Sequence, residues 1–263
     1  MKQEAGGASG DAIGDPWLSI VVPMKNEAGN VGFLTRAIAS ACAEIGPFEA
    51  IYVDDGSTDG TADTIRALRG DFAFLRLIRH DRSGGQSAAI HSGVLAARGR
   101  VICTLDGDGQ NPPAEIPKLL ARLRGRDFPD GVALVAGQRV GRRDTLSKRW
   151  ASTAANAIRS ALLQDGTRDT GCGLKIFDRA AFLNLPYFDH MHRYLPALFA
   201  RDGRGIEHVD VAHAARHAGQ SNYANFGRAL VGIHDLVGVM WLIRRRKKAR
   251  PVPESPRPEG VAL

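Results

Sequence analysis

Ala50-Ile-Tyr-Val-Asp-Asp-Gly-Ser-Thr-Asp-Gly-Thr-Ala-Asp-Thr-Ile-Arg-Ala-Leu68 carries the fold in miniature: an apolar β-branched run, an acidic turn, then a segment with helical periodicity. The same succession recurs from Leu18 to Gln138. It is the pattern of βαβ units, and it predicts an α/β protein with a mainly parallel sheet and helices on both faces. Strands are expected over 18–22, 50–54, 74–78, 100–105 and 132–136, and helices near 31–45, 61–68, 86–97 and 117–123. After Gly141 the alternation breaks down; a helix over 146–163 and a strand near 174–177 are expected there.

Polar residues gather directly after the apolar runs: Lys25-Asn-Glu27 after the first, Asp54-Asp-Gly-Ser-Thr-Asp59 after the second, Asp106-Gly-Asp108 after the fourth. In an open parallel sheet, ligands bind outside the carboxyl ends of the strands, so the three groups should converge on one crevice. Asp106 and Asp108, separated by Gly107, supply hard oxygens suited to Mg2+ or Mn2+, with phosphate oxygens and water completing the shell. Gln110 adds a neutral oxygen at the same period. Alone, Asp-x-Asp is equally a common acidic turn.

Asp54 and Asp55 are adjacent carboxylates that repel and need an offsetting partner, such as a base or ribose donating hydrogen bonds. Asp59 reads instead as a cap for the helix opening at Thr61. Gly84-Gly-Gln-Ser-Ala-Ala89 is a glycine pair entering a small-residue helix, which leaves N–H groups beside Gln86 for a phosphate. Its spacing is neither a Walker loop nor a dinucleotide fingerprint, so a tight turn competes with that reading.

The chain of 263 residues, 44% of them hydrophobic, is long enough to bury a sizeable core. Its three cysteines, Cys42, Cys103 and Cys172, are far apart and lack metal-ligand spacing, so they read as buried free thiols in a reducing, cytoplasmic setting. Residues 1–16 have no apolar signal stretch and read as a disordered leader. The tail 251–263, with four of the 13 prolines, reads as disordered too. The ordered units between them are a large α/β domain, 17–226, and a C-terminal helix with its basic edge, 227–250.

Three motifs, Ile20-Val-Val-Pro-Met-Lys-Asn-Glu27, Val53-Asp-Asp-Gly-Ser-Thr-Asp59 and Leu105-Asp-Gly-Asp-Gly-Gln110, occur in the order found in family 2 glycosyltransferases of the GT-A fold, which the chain resembles. More narrowly, Gly137-Gln-Arg139, Asp169-Thr-Gly-Cys-Gly173 and Arg216-His-Ala-Gly-Gln-Ser-Asn-Tyr223 resemble the polyprenyl- and dolichyl-phosphate sugar synthases, and the likeness runs from about Leu18 to Arg246. The resemblance implies that Pro23, Glu27 and Asp55 contact the nucleoside of a nucleotide-sugar, with Asn26, Asp54 and Gln86 beside them. It implies that Asp106, Asp108 and Gln110 serve the metal and diphosphate, and that the reaction inverts the anomeric centre. A uridine diphosphate donor is expected.

The implied acceptor is a polyprenyl phosphate. Its oxygen is already anionic, so orientation and positive charge matter more than a strong base. Arg139, Lys148 and Arg216 match the family's basic positions, and Arg149, Ser221 and Tyr223 join them on the acceptor side. The family carries a lysine where this chain has Asn222; His217 or Lys148 is the candidate to compensate. Asp169 is a candidate base or a partner for sugar and arginine. In His190-Met-His-Arg-Tyr-Leu195 the two histidines do not share a helical face, which argues against a metal there; His192 and Arg193 are candidate sugar contacts.

The net charge is +7, and much of the excess lies in Arg244-Arg-Arg-Lys-Lys-Ala-Arg250, directly after the apolar segment 226–243. Its stretch 229–243 is too short to span a bilayer and contains His234 and Asp235. With Trp241 and the basic edge it suits the surface of an anionic membrane, so the enzyme is expected to sit peripherally on the inner face of the cytoplasmic membrane. Two other readings remain open: a glycosyltransferase acting on a saccharide hydroxyl with Asp169 as base, and a non-catalytic basic membrane- or nucleic-acid-binding protein. The sheet-end carboxylates argue against nucleic acid in the crevice.

Overall fold

The computed structural model describes residues 14–140, 159–163, 165–214 and 225–249. Seven strands form one sheet: β1 (Leu18–Met24), β2 (Phe48–Asp54), β3 (Leu75–Arg79), β4 (Val101–Thr104), β5 (Val132–Arg139), β6 (Lys175–Asp178) and β7 (Gly205–Val211). They lie in the order β3-β2-β1-β4-β6-β5-β7. β1 to β4 are mutually parallel, β7 is parallel to β5, and β6 enters antiparallel between β4 and β5.

Alternate residues of the central strands feed two cores. Leu18, Ile20, Val22 and Met24 of β1, with Ala50 and Tyr52 of β2, face one side; Val21, Ile51 and Val53 face the other. This follows from the two-residue repeat of a strand buried on both faces. The first core is closed by α1 (Ala28–Ala41) through Val31, Leu34 and Ile38, by α2 (Thr61–Leu68) through Ile65, and by α4 (Ile116–Leu120). The second is closed by α3 (Gln86–Ala96), α5 (Arg179–Leu183), α6 (Leu195–Arg201) and Val239 of α7 (Asn225–Arg244). α3 packs closely because a Cβ at Gly93 would overlap Val21.

The expected α2 and the strand positions through β5 are found, with boundary shifts of a few residues. α1 begins earlier than expected, since the Asn30 and Val31 amides already bond to the Glu27 carbonyl. α4 is shorter than expected and follows a 3-10 turn at Pro113–Glu115. β7, α5 and α6 were not anticipated. Residues 159–163 are helical, as expected; the rest of that predicted helix, residues 1–13 of the leader and the tail 251–263 lie outside the described residues. So do Lys148, Arg149, Arg216, His217, Ser221 and Tyr223.

Candidate active site

The carboxyl ends of β1, β2 and β4 lie along one edge, where Met24 pairs with Asp54 and Val21 with Thr104. β6 runs the opposite way, so its first residue, Lys175, pairs with Thr104 and Ala136 at that same edge. The loop 169–173 before β6 is therefore delivered to the strand ends that carry the acidic motifs. Thr104 fastens it by donating its hydroxyl to the Gly173 carbonyl at 2.7 Å.

The two loops at the ends of β1 and β2 are laced together. Asn26, at φ 54°, accepts the Thr58 amide at 2.8 Å and donates its own amide to Ser57 Oγ at 2.9 Å. The Glu27 amide donates to Thr61 Oγ1, while the Glu27 carboxylate accepts the Asn30 side chain. Asp59 accepts the amides of Thr61 at 2.9 Å and Ala28 at 3.2 Å, so it caps the start of both α2 and α1. The Pro23 carbonyl lies against Gly107.

Asp54 is fully buried and accepts the Ser57 amide at 3.0 Å and Arg79 Nε at 3.2 Å. Asp55 holds the glycine pair: its oxygens accept the amides of Gly84 at 2.8 Å and Gly85 at 2.9 Å and the Ser83 hydroxyl at 2.7 Å, with His80 Nδ1 at 2.7 Å. Burial pushes this carboxyl up, but the four donors outweigh it and hold Asp55 below the usual range. A carboxylate offers about four lone-pair sites, so a nucleoside reaching Asp55 would share these donors rather than meet an open acceptor.

Asp106 is oriented from both sides. Gln86, in the first turn of α3, donates to Oδ1 at 2.8 Å, and Asn111 donates to Oδ2 at 2.7 Å. Burial and the neighbouring Asp108 carboxylate raise the Asp106 carboxyl, against the pull of Lys175, Arg139 and Gln86. Asp108 Oδ1 accepts the Gln110 amide at 3.0 Å. A Cβ at Gly173 would overlap the Asp106 carboxylate, so the loop keeps that space clear only with glycine. Two carboxylates whose charges oppose one another suit a divalent cation shared with a diphosphate. Among the described residues no group of three or more His, Cys, Asp or Glu gathers to hold a metal by protein alone.

Beyond Asp106 the edge opens into a cavity of about 410 Å³ lined by Gln86, Asp106, Arg139, Asp169, Lys175, His192 and Arg193, among others. Arg139, ending β5, forks onto Asp169 and is thereby held charged despite its burial. His192 bonds to Ser87 through Nδ1 at 2.7 Å and its amide at 3.2 Å. Burial, then Arg193 and Lys175, push the His192 ring well below its usual value, so it is neutral. Cys42, Cys103 and Cys172 are buried free thiols.

Lys175 was not singled out from the sequence. It is buried, donates to the Cys172 carbonyl and lines the cavity; burial lowers its ammonium while Cys172, Asp106 and Asp169 oppose that. The available signal was one lysine inside the apolar run Leu174-Lys-Ile-Phe177, a residue type almost never buried without a partner.

The geometry can be set beside known proteins. Dodecaprenyl-phosphate galacturonate synthase of Rhizobium johnstonii is 37% identical over 239 residues, 89% of this chain and 69% of that protein. Undecaprenyl-phosphate 4-deoxy-4-formamido-L-arabinose transferase of Pseudomonas aeruginosa is 34% identical over 226 residues, 85% of this chain and 65% of that protein. The chain thus spans about two thirds of the length of these relatives. Among solved structures, glucosyl-3-phosphoglycerate synthase of Mycobacterium tuberculosis, in complex with Mn2+, UDP and glucosyl-3-phosphoglycerate, superposes with a TM-score of 0.64 at 18% identity, covering 91% of this chain and 86% of that one. The same enzyme with Mg2+ and UDP superposes with a TM-score of 0.62 at 18% identity, covering 88% and 79%. These structures share the fold, the GT-A arrangement that the motifs implied. Residues 19–185 match the family described as Glycosyl transferase family 2, and with relatives above one-third identity across most of its length the chain belongs to that family and is a glycosyltransferase.

Proposed function

We propose that this glycosyltransferase moves a sugar from a uridine diphosphate sugar to the phosphate of a polyprenyl phosphate, with inversion, at the inner face of the cytoplasmic membrane. The observation that carries the reading is that Asp169, the candidate base, has both oxygens engaged by Arg139. His192 is too weakly basic to serve near neutral pH. With neither Asp169 nor His192 available as a base, the described part of the site suits a nucleophile that is already anionic. The two relatives are named for dodecaprenyl and undecaprenyl phosphate. The saccharide-hydroxyl reading lacks that support.

In the reaction an acceptor phosphate oxygen donates its electron pair to the anomeric carbon. The bond from that carbon to the diphosphate oxygen breaks, the pair leaves with the nucleoside diphosphate, and no proton moves. Asp106 and Asp108 would hold Mg2+ or Mn2+, which when bound offsets charge on the leaving diphosphate. Gln86 and Asn111 fix Asp106 in place; Asp169 fixes Arg139 so that its free N–H donors orient an anionic oxygen.

For the membrane, the support lies on α7. Ile233, Val237 and Trp241 are 63%, 62% and 59% exposed, the three highest values among the exposed large apolar side chains of the described residues, and they lie four residues apart on one stripe. The exposed Arg244-Arg-Arg-Lys-Lys248 follows directly, which suits anionic headgroups. No described helix is long and apolar enough to cross a membrane.

The test is incubation of the purified chain with undecaprenyl phosphate, a panel of nucleotide-sugars and Mg2+ or Mn2+. A lipid-linked sugar of inverted configuration is expected; transfer only to a water-soluble glycan would falsify the reading.

A further inference from the structure

Among the cavity-lining cations, Arg193 stands apart. Arg139 is forked onto Asp169, and Lys175 donates to the Cys172 carbonyl. Nearby Arg159 is paired with Asp165. The Arg193 guanidinium, half-buried on the cavity wall, makes no side-chain hydrogen bond or ion pair among the described residues. A guanidinium presents five N–H donors in a fixed fork. Leaving it partly desolvated without an acceptor is costly unless a ligand supplies the oxygens.

Its place in the fold says which ligand group arrives there. Arg193 closes the 3-10 turn Met191–Arg193, and the preceding residue, His192, fastens that turn to Ser87 in the first turn of α3. The residue before Ser87 is Gln86, which holds Asp106. The turn is thus built onto the element that orients the diphosphate side of the site, and the donor group extending from the diphosphate into the cavity is the sugar. His192, being neutral, adds no competing charge beside the guanidinium.

We propose that Arg193 is the receptor for a carboxylate on the transferred sugar, so that the donor is a nucleoside diphosphate uronate. The inference rests on the donor half of the reading above and not on its acceptor. A planar fork matches a carboxylate with two parallel bonds, which a neutral hydroxymethyl group at the same carbon cannot form.

The experiment is equilibrium binding to the full chain, with Mn2+ and no acceptor, of UDP-glucuronate and UDP-galacturonate against UDP-glucose and UDP-galactose. The uronates should bind more tightly by on the order of tenfold to a hundredfold, the value of a charge-assisted pair. Arg193→Gln should erase that preference, while Arg193→Lys, which keeps the charge and loses the fork, should retain part of it. Circular dichroism confirms that each variant is folded. Wild-type protein that binds neutral sugars as tightly as uronates overturns the proposal, and so does an Arg193→Gln variant with undiminished uronate preference. UDP measured alongside separates the two levels: UDP bound without a uronate preference sinks this inference alone, and no UDP binding sinks the donor reading with it.

Discussion

Arg139 and Asp169 meet as a planar fork, Nε to Oδ2 at 2.6 Å and Nη2 to Oδ1 at 2.9 Å, with the amides of Arg139 and Gly171 adding bonds of 3.2 Å and 3.1 Å to the same carboxylate. A carboxylate gripped on both oxygens orients its partner and does not take a proton from substrate. Asp169→Asn keeps the shape but breaks the fork, and turnover should fall by about a hundredfold, the usual result of misplacing an orienting group. The ratio of wild-type to variant rates should stay constant between about pH 6 and pH 9, because no titrating base is removed. A variant that instead loses one limb of the pH profile would return Asp169 to the role of base.

Asp55 is a stability element as well as a loop organiser. Its carboxyl is lowered in the folded protein, so its ionised form favours folding: the contribution is present above the unfolded value of about 3.9 and is lost as pH falls through the folded value. Asp55→Asn turns an acceptor into a donor against Gly84, Gly85 and Ser83 and should cost about 1–3 kcal/mol at neutral pH. In urea unfolding curves the gap between wild type and variant should close below about pH 4. A gap that stays constant into that range contradicts the assignment.

The half of the molecule that was legible from sequence is the half in which each strand is a short apolar run followed at once by its ligand loop. Ile20-Val-Val22 and Ile51-Tyr-Val53 send alternate residues into opposite cores, and nothing local competes with that pattern. β7 was hidden because Glu207, His208 and Asp210 interrupt its apolar residues on an edge strand with one partner. The direction of β6 was hidden because four residues, Lys175–Asp178, carry no mark of orientation; pairing with Thr104 decides it. That reversal places Lys175 and the loop 169–173 in the site, so the apolar run around Lys175 marked a buried lysine but not its place beside the acidic motifs. Asp55 was legible as a site position, but not its four donors, which come from a loop about 25 to 30 residues away.

Gly173 is the residue through which that reversal bears on the proposed metal position. Its Cβ would overlap the Asp106 carboxylate, which Gln86 and Asn111 already hold from both sides. Gly173→Ala should leave the fold intact, because the position needs no left-handed backbone, yet weaken Mn2+-dependent UDP binding on the order of tenfold, as disturbing the support of a metal ligand does. Gly60→Ala is the control, since a Cβ there meets nothing within 4 Å. Thermal shift with UDP and Mn2+ reads both; equal responses in the two variants would remove Asp106 from the metal site.

α7 differs from the amphipathic helix expected at the C-terminus in one respect: it carries apolar side chains on both sides. Leu236, Val239 and Met240 pack on the protein, while Ile233, Val237 and Trp241 point away from it. Tyr194 and Arg201 donate to the carbonyls of Gly232 and Leu242 at 3.2 Å and 2.9 Å, which fixes the exposed stripe relative to the turn carrying His192 and Arg193. A fixed apolar stripe beside five exposed cations should bind vesicles in two separable ways. Replacing Val237 and Trp241 by Ser should abolish flotation with anionic vesicles at high salt, where the screened cations no longer hold the helix once the apolar insertion is lost. Replacing three of the five basic residues by Gln should cost about 3 kcal/mol, roughly a hundredfold in partitioning, and only at low salt, where headgroup attraction is unscreened. If neither set of changes alters flotation, or if the stripe proves to bury itself in a second copy of the chain by analytical ultracentrifugation, α7 does not face the lipid.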